Sequence, residues 1–209
     1  MARIIALDIE TVPHEGIMDT WYPEWIMKKN PGVLDSEKLE AMAALYPEFG
    51  QVCCVSYADA EDTDSQVRHK LAGNVEEERD ILESIGGFLD NNITLVGHNI
   101  KGFDIPFLAK RYMAHGLHVP ASLNTLGKKP WEIQHLDTME LMKFGSSNMS
   151  LRAACLLLGI NDPKENMDGE DVWECFKRHD MAPIGKYCDG DVEAVRGVFT
   201  ILRNCTGAV

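Results

Sequence analysis

The sequence predicts a mixed α/β fold, a sheet with helices on both faces, and three observations carry that prediction. The first is an apolar run near the N-terminus, Arg3-Ile4-Ile5-Ala6-Leu7, suited to the middle of a sheet. The second is a pair of strand-like runs, QVCCVSYAD (51–59) and SQVRHKLAG (65–73), joined by an acidic turn in a hairpin pattern. The third is the remainder of the chain, where helical and strand patterns alternate. Three antiparallel strands followed by alternating helix and strand are therefore expected. With 209 residues, against about 100 to 200 for a typical domain, a single domain over 1–209 is the natural division.

In chain order, residues 3–9 form the first strand. Pro13, Gly16, Pro23 and Pro31 then break up a segment that runs to Gly50, which holds Trp21, Tyr22 and Trp25 and so is too apolar for a linker. It reads as an insertion over about 13–50 with short helices, one around Ser36–Leu45, covering an edge of the fold. After the hairpin, Asn74 and Glu77 resemble a capping pair, and Ile81, Leu82, Ile85, Phe88 and Leu89 recur at helical spacing. NITLVGHN (92–99) is a buried strand that leads into a helix from about Ile105 to His115. Residues 116–134 read as an irregular loop. A short strand around HLDTM, a helix from Ser150 to Gly159, a polar helix near Asp171–Arg178 and a long helix over Pro183–Asn204 complete the order.

Composition narrows the functional classes. Lys and Arg number 20 against 33 Asp and Glu, a net charge of −13 that opposes broad nucleic-acid coating but leaves room for a small carboxylate site holding divalent cations. The six cysteines form no CxxC pair and read as reduced thiols, not zinc ligands or disulfides. No apolar stretch approaches the roughly 18 to 20 residues of a membrane span, and no signal-peptide pattern opens the chain, so no membrane partner and a cytoplasmic location are expected.

Charges misplaced within apolar patterns mark the candidate site. Asp8 and Glu10 follow the first apolar run two residues apart, and in a strand such residues share a face. In the last helix the stripe Ile184, Cys188, Val195, Phe199, Leu202 is continued by Asp191, a costly charge to bury without a cation or strong hydrogen bonds. Tyr187 lies one turn before it. Asp104 sits at a helix start just after a buried strand, where α/β folds place their sites. Each has a structural alternative: Asp8 and Glu10 as a strand end, Asp104 as a helix cap, Tyr187 as a core tyrosine, Asp191 in an ion pair. Asp137 reads as a structural or supporting residue and His98 as a satisfied loop histidine.

Together the residues resemble a known family. DIET (8–11), HNIKGFD (98–104) and YCDGD (187–191) are similar, in order, to the three exonuclease motifs of the DEDD superfamily. A tyrosine four residues before the last aspartate marks the tyrosine subgroup; the histidine subgroup would carry His where Lys186 stands. Within that subgroup the chain resembles the proofreading domain of family B DNA polymerases and the small predicted exonucleases related to it.

The resemblance implies a ribonuclease H-like fold and two divalent ions, Mg²⁺ or Mn²⁺, on the oxygens of Asp8, Glu10, Asp104 and Asp191. Asp8 would bridge both ions, Glu10 and Asp191 would hold one and Asp104 would support the other, with Tyr187 orienting the attacking water. The implied reaction is metal-dependent 3′-to-5′ hydrolysis of nucleic acid, single-stranded DNA before RNA, releasing nucleoside 5′-monophosphates. Asn99, Phe103 and Thr11 would lie at the terminal nucleotides. Lys101, Lys110, Arg111, Lys128, Lys129 and Lys186 would be backbone contacts, each more often merely solvated. Expected partners are the 3′ end of a single strand and a polymerase or other protein that delivers it. Three rivals stay open here: a catalytically weak binding module of the same fold, a ribonuclease H-like endonuclease, and an oligoribonuclease-like enzyme for very short substrates.

Overall fold

β1 (Arg3–Pro13) lies in the middle of a five-stranded sheet of order β3-β2-β1-β4-β5. The computed structural model describes residues 2–33, 35–62, 64–162, 167 and 169–207. β2 (Gly50–Asp59) and β3 (Arg68–Leu71) run antiparallel on one side of β1, while β4 (Ile93–Gly97) and the two-residue β5 (Leu136–Asp137) run parallel on the other. The first strand is longer than the expected 3–9, because its second half pairs with β2 as far as Pro13↔Gly50. On the other side the β4 pairing stops at Ala6↔Val96. Beyond that point β1 presents backbone groups to whatever follows β4 in the chain.

The alternation of β1 side chains sorts the two layers. Ile5, Leu7 and Ile9 face α3 (Val75–Leu89) and α4 (Asp104–Ala114), packing with Ile81, Leu82, Ile85, Phe107 and Leu108. Ala6 faces the opposite layer, where α6 (Leu151–Leu158) and α8 (Met181–Thr206) supply Ala154, Val195 and Phe199. Short side chains at Ala6 and Ala58 let α8 lie close to the sheet, which brings its polar groups within reach of β1. Helices thus cover both faces of a mixed sheet, as expected.

Local signals account for most boundaries. The Asn74 side chain accepts the Glu77 N–H at 2.9 Å, and Glu77 returns a bond to the Gly73 N–H at 2.7 Å. Ser150 caps α6, and Gly159 ends it in the left-handed conformation at φ 68°. α7 (Gly169–Lys177) is the expected polar helix. A single turn, α5 (Thr138–Leu141), was not legible, because it is nucleated by the Asp137 side chain and has no periodicity of its own.

The insertion folds around a core of its own. Its helices α1 (Tyr22–Lys29) and α2 (Ser36–Ala41) build a small core of Ile17, Tyr22, Ile26, Leu39, Ala43 and Phe49, locked by the buried Tyr22 hydroxyl donating to the Leu39 carbonyl at 2.7 Å. It packs against the joined ends of β1 and β2. Gly50 makes that approach feasible, since a Cβ there would lie 3.0 Å from both the Ala43 and Val12 carbonyl oxygens. No helix among the described residues is long and apolar enough to cross a membrane.

Candidate active site

Even-numbered positions of β1 carry Asp8 and Glu10 toward α8. Between Glu10 and Thr11 the register with β2 slips, leaving Cys53 as an extra residue. A bulge of this kind bends a strand and re-aims the side chains beside it. Here it gathers Cys53 and Cys54 around Tyr187 and Cys188 of α8. The Cys188 thiol donates to the Asp8 carboxylate at 3.4 Å and reaches the Asp8 carbonyl at 3.5 Å. Ligand atoms of Asp8, Glu10 and Cys188 all lie within 4.8 Å of one another.

Asp191 continues the buried stripe of α8 as the spacing indicates and is 7% exposed. Asp104 arrives from the other side. It is the first helical residue of α4, not the capping residue, and its carboxylate accepts the Ile9 N–H at 3.2 Å. Ile9 lies beyond the last β1–β4 pair, so Asp104 takes the place that a longer β4 would have filled. β1, α4 and α8 thereby bring four carboxylates together around the C-terminal half of one strand.

The electrostatics follow from that crowding. Burial pushes the Asp8 carboxyl well above the usual carboxylate range, and the charges of Asp104, Glu10 and Asp191 push it further, against a smaller opposing effect of the Cys188 thiol. Burial lifts Asp104 to about 7, with backbone N–H groups opposing and Asp137 and Asp191 adding to the rise. Burial also raises the Cys188 thiol, so sulfur stays protonated and acts as a donor. The set fits divalent cations on chemical grounds: its anionic donors are carboxylate oxygens, which hard ions prefer, and a cation relieves the repulsion that raises Asp8.

The turn between β4 and α4 is held by Asp137. One carboxylate oxygen accepts N–H groups of Asn99 at 2.9 Å and Met139 at 3.0 Å, and the other accepts that of Lys101 at 3.2 Å. This is the supporting role expected of it. The left-handed Asn99 (φ 64°) lies over Gly102, where a Cβ would meet its amide oxygen at 2.5 Å. His98 is satisfied at both nitrogens, by the Thr138 hydroxyl and the Met149 carbonyl, each at 2.9 Å.

The other expected contacts are dispersed. Thr11 gives its hydroxyl to the Ala44 carbonyl at 2.8 Å, Phe103 is half-buried against Phe107 at 5.4 Å, and Lys101 pairs with Glu140 at 2.9 Å. Lys110 pairs with Glu48 at 3.4 Å, Lys129 lies over the Trp131 ring at 5.2 Å, and Lys128 and Lys186 are exposed. Arg111 is not a surface cation: it is buried and paired with Glu78 at 2.7 Å. Long aliphatic stems let arginine reach a buried acid, and sequence alone does not separate that use from a surface one.

Two features escaped the sequence reading. Asp189, inside the YCDGD motif, accepts from Ser56 at 2.8 Å and pairs with His69 at 2.8 Å, fastening α8 to β2 and β3. The second is the outer wall of the site. Asp8 and Asp191 open into a cleft of about 610 Å³, otherwise lined by His98, Met139 and residues 148–152. The helix start at Ser150 was visible in the sequence; its place on the cleft that Asp8 also lines was not.

Residues 45–209 match the family described as "Predicted 3′-5′ exonuclease related to the exonuclease domain of PolB". No curated protein sequence matches the chain. Among solved structures, 97% of the chain superposes on 24% of the family B DNA polymerase of the hyperthermophilic archaeon Pyrobaculum calidifontis, with a TM-score of 0.62 and 19% identity. For E. coli exonuclease I in complex with a dT13 oligonucleotide the TM-score is 0.53 at 9% identity, over 97% of this chain and 41% of that one. For the Saccharomyces cerevisiae Pan2 pseudoubiquitin hydrolase-RNA exonuclease module in complex with AAGGA RNA it is 0.51 at 12% identity, over 99% and 30%. At these identities the likeness is one of fold, and the chain spans less than half the length of each of these proteins.

Proposed function

The chain belongs to the family of predicted 3′-5′ exonucleases related to the exonuclease domain of PolB, and from that premise we propose that it is a tyrosine-type DEDD enzyme that shortens single-stranded DNA from its 3′ end with two bound Mg²⁺ or Mn²⁺ ions. The observation that carries the reading is the gathering of Asp8, Glu10, Asp104 and Asp191 from three separate elements into one repelling group. Gathering four acids in one place costs folding free energy, and bound cations offset that cost.

In the proposed roles, the carboxylates of Asp8, Glu10, Asp104 and Asp191 would hold the ions, Asp104 while accepting the Ile9 N–H. Bound divalent ions supply charge to the attacking and leaving oxygens of an in-line displacement. Tyr187, one turn before Asp191 on α8, orients the attacking water. Water attacks phosphorus, the bond to the upstream 3′-oxygen breaks, and a nucleoside 5′-monophosphate leaves with a strand one nucleotide shorter. Asn99 and Lys101, on the turn held by Asp137, contact the terminal nucleotides. Thr11 and Phe103 shape that end of the site from their places against Ala44 and Phe107. The charge of −13 favours a single strand, which has a lower charge density than duplex DNA.

Stability tests the metal assignment. Asp8 and Asp104 hold their protons more tightly folded than unfolded. Without metal, their contribution to stability is fully present below about pH 4 and is lost as pH rises through the folded value, about 7 for Asp104. Divalent ions reverse the loss. Mg²⁺ or Mn²⁺ at about a hundred times its dissociation constant should raise the Tm by roughly 5 to 10 °C at pH 8 and by much less at pH 5. A Tm that ignores both ions at pH 8 would remove them from this site.

A further inference from the structure

The cleft that opens from Asp8 and Asp191 has one cation on its described wall, Arg152, in the first turn of α6. Its neighbours there are uncharged: Asn148, Met149, Ser150 and Leu151. Arg152 is exposed and its guanidinium is paired with Asp162 at 2.8 Å, the two side chains being 61% and 34% accessible. A pair so open to water is weak and easily exchanged. A phosphate oxygen offers the same guanidinium a charge-assisted bond of the same kind. With the acids of the floor assigned to the metal ions, Arg152 is the cation that the described wall offers to a phosphate beyond the reacting one, and the helix N-terminus beneath it adds a favourable dipole for an anion.

Resting on the exonuclease reading above, we propose that Arg152 is the specificity-determining contact for the leaving strand: it binds a backbone phosphate upstream of the scissile bond, giving up Asp162 to do so. Arg152 then selects strands with at least one further phosphate beyond the bond being cut, while the chemistry at Asp8 does not depend on it. Asp162 competes with the substrate and sets how tightly that phosphate is held.

Two substrates separate binding of the leaving strand from chemistry. An oligothymidylate has upstream phosphates, whereas the p-nitrophenyl ester of thymidine 5′-monophosphate has only the reacting one. Arg152→Ala should raise KM for the oligonucleotide about tenfold with kcat within about twofold, in line with loss of one charged hydrogen bond, and leave ester hydrolysis unchanged. The slope of log affinity against log salt should shrink by about 0.7, the single-strand value for one phosphate contact. Asp162→Asn should lower KM for the oligonucleotide. Fluorescence anisotropy of a labelled phosphorothioate oligothymidylate measures the same contact without turnover and should show about tenfold weaker binding for Arg152→Ala. Equal affinity and equal salt slope in that variant would overturn the proposal, as would parallel loss of ester hydrolysis. A wild-type protein that hydrolyses neither substrate yet shows the binding difference would overturn the exonuclease reading alone and leave the phosphate contact standing.

Discussion

Asp8→Asn should lower kcat by about 10³-fold or more, because several kcal/mol of charge stabilisation at the reacting phosphate depend on that carboxylate. The substitution keeps the shape of the side chain and an oxygen to accept from the Cys188 thiol, 3.4 Å away in the native protein. It removes the charge that Glu10, Asp104 and Asp191 repel. The variant should therefore unfold at a higher temperature than the native protein at pH 8 in the presence of a chelator, while losing activity when metal is supplied. Opposite signs in the two assays are the mark of a residue held in a repelling group for the sake of an ion. Unchanged turnover in Asp8→Asn would remove Asp8 from the machinery.

The largest loss of stability is expected at a site remote from the chemistry. Glu78 is fully buried on α3 and accepts from Arg111 at 2.9 and 2.7 Å, from His115 at 2.7 Å and from the Val52 N–H at 2.7 Å. Burial pushes its carboxyl up, but the Arg111, His115 and Val52 bonds outweigh that and hold it below the usual range. Arg111 also bonds the Pro47 carbonyl and His14, each at 3.1 Å, so one guanidinium ties α3 and α4 to the root of the insertion. Arg111→Ala leaves the Glu78 charge without its main partner and should cost about 3 to 5 kcal/mol. A lower urea midpoint with an unchanged m-value would show it. Replacing both partners, Glu78→Leu with Arg111→Met, should recover part of the loss; a double variant less stable than Arg111→Ala would contradict this account of the pair.

The same arginine shows where sequence reading reaches its limit. Asp8 and Glu10 were legible because a two-residue spacing in a strand fixes a shared face. Asp191 was legible because it interrupts an apolar stripe at helical spacing. Asn74, Ser150 and Gly159 announce helix ends through bonds made within a few residues. Local periodicity carries no information about pairs formed across the fold. Nothing near Arg111 marks Glu78, 33 residues away, as its partner. The same holds for Cys188 beside Asp8, 180 residues apart, and for Asp104 on the Ile9 N–H, 95 residues apart. The insertion hid its own core for a related reason: Trp21, Tyr22, Trp25 and Phe49 lie among turn-forming residues, so their mutual packing leaves no regular spacing.

The central claim is that these four carboxylates and Tyr187 make a 3′-to-5′ exonuclease, and one measurement addresses it most directly. A 5′-labelled single-stranded DNA with a free 3′ end, incubated with the purified protein and Mg²⁺ or Mn²⁺, should shorten one nucleotide at a time, faster than duplex DNA or RNA of the same sequence, and remain intact with chelator. No shortening with either metal, or cutting of a closed circular strand, would contradict it.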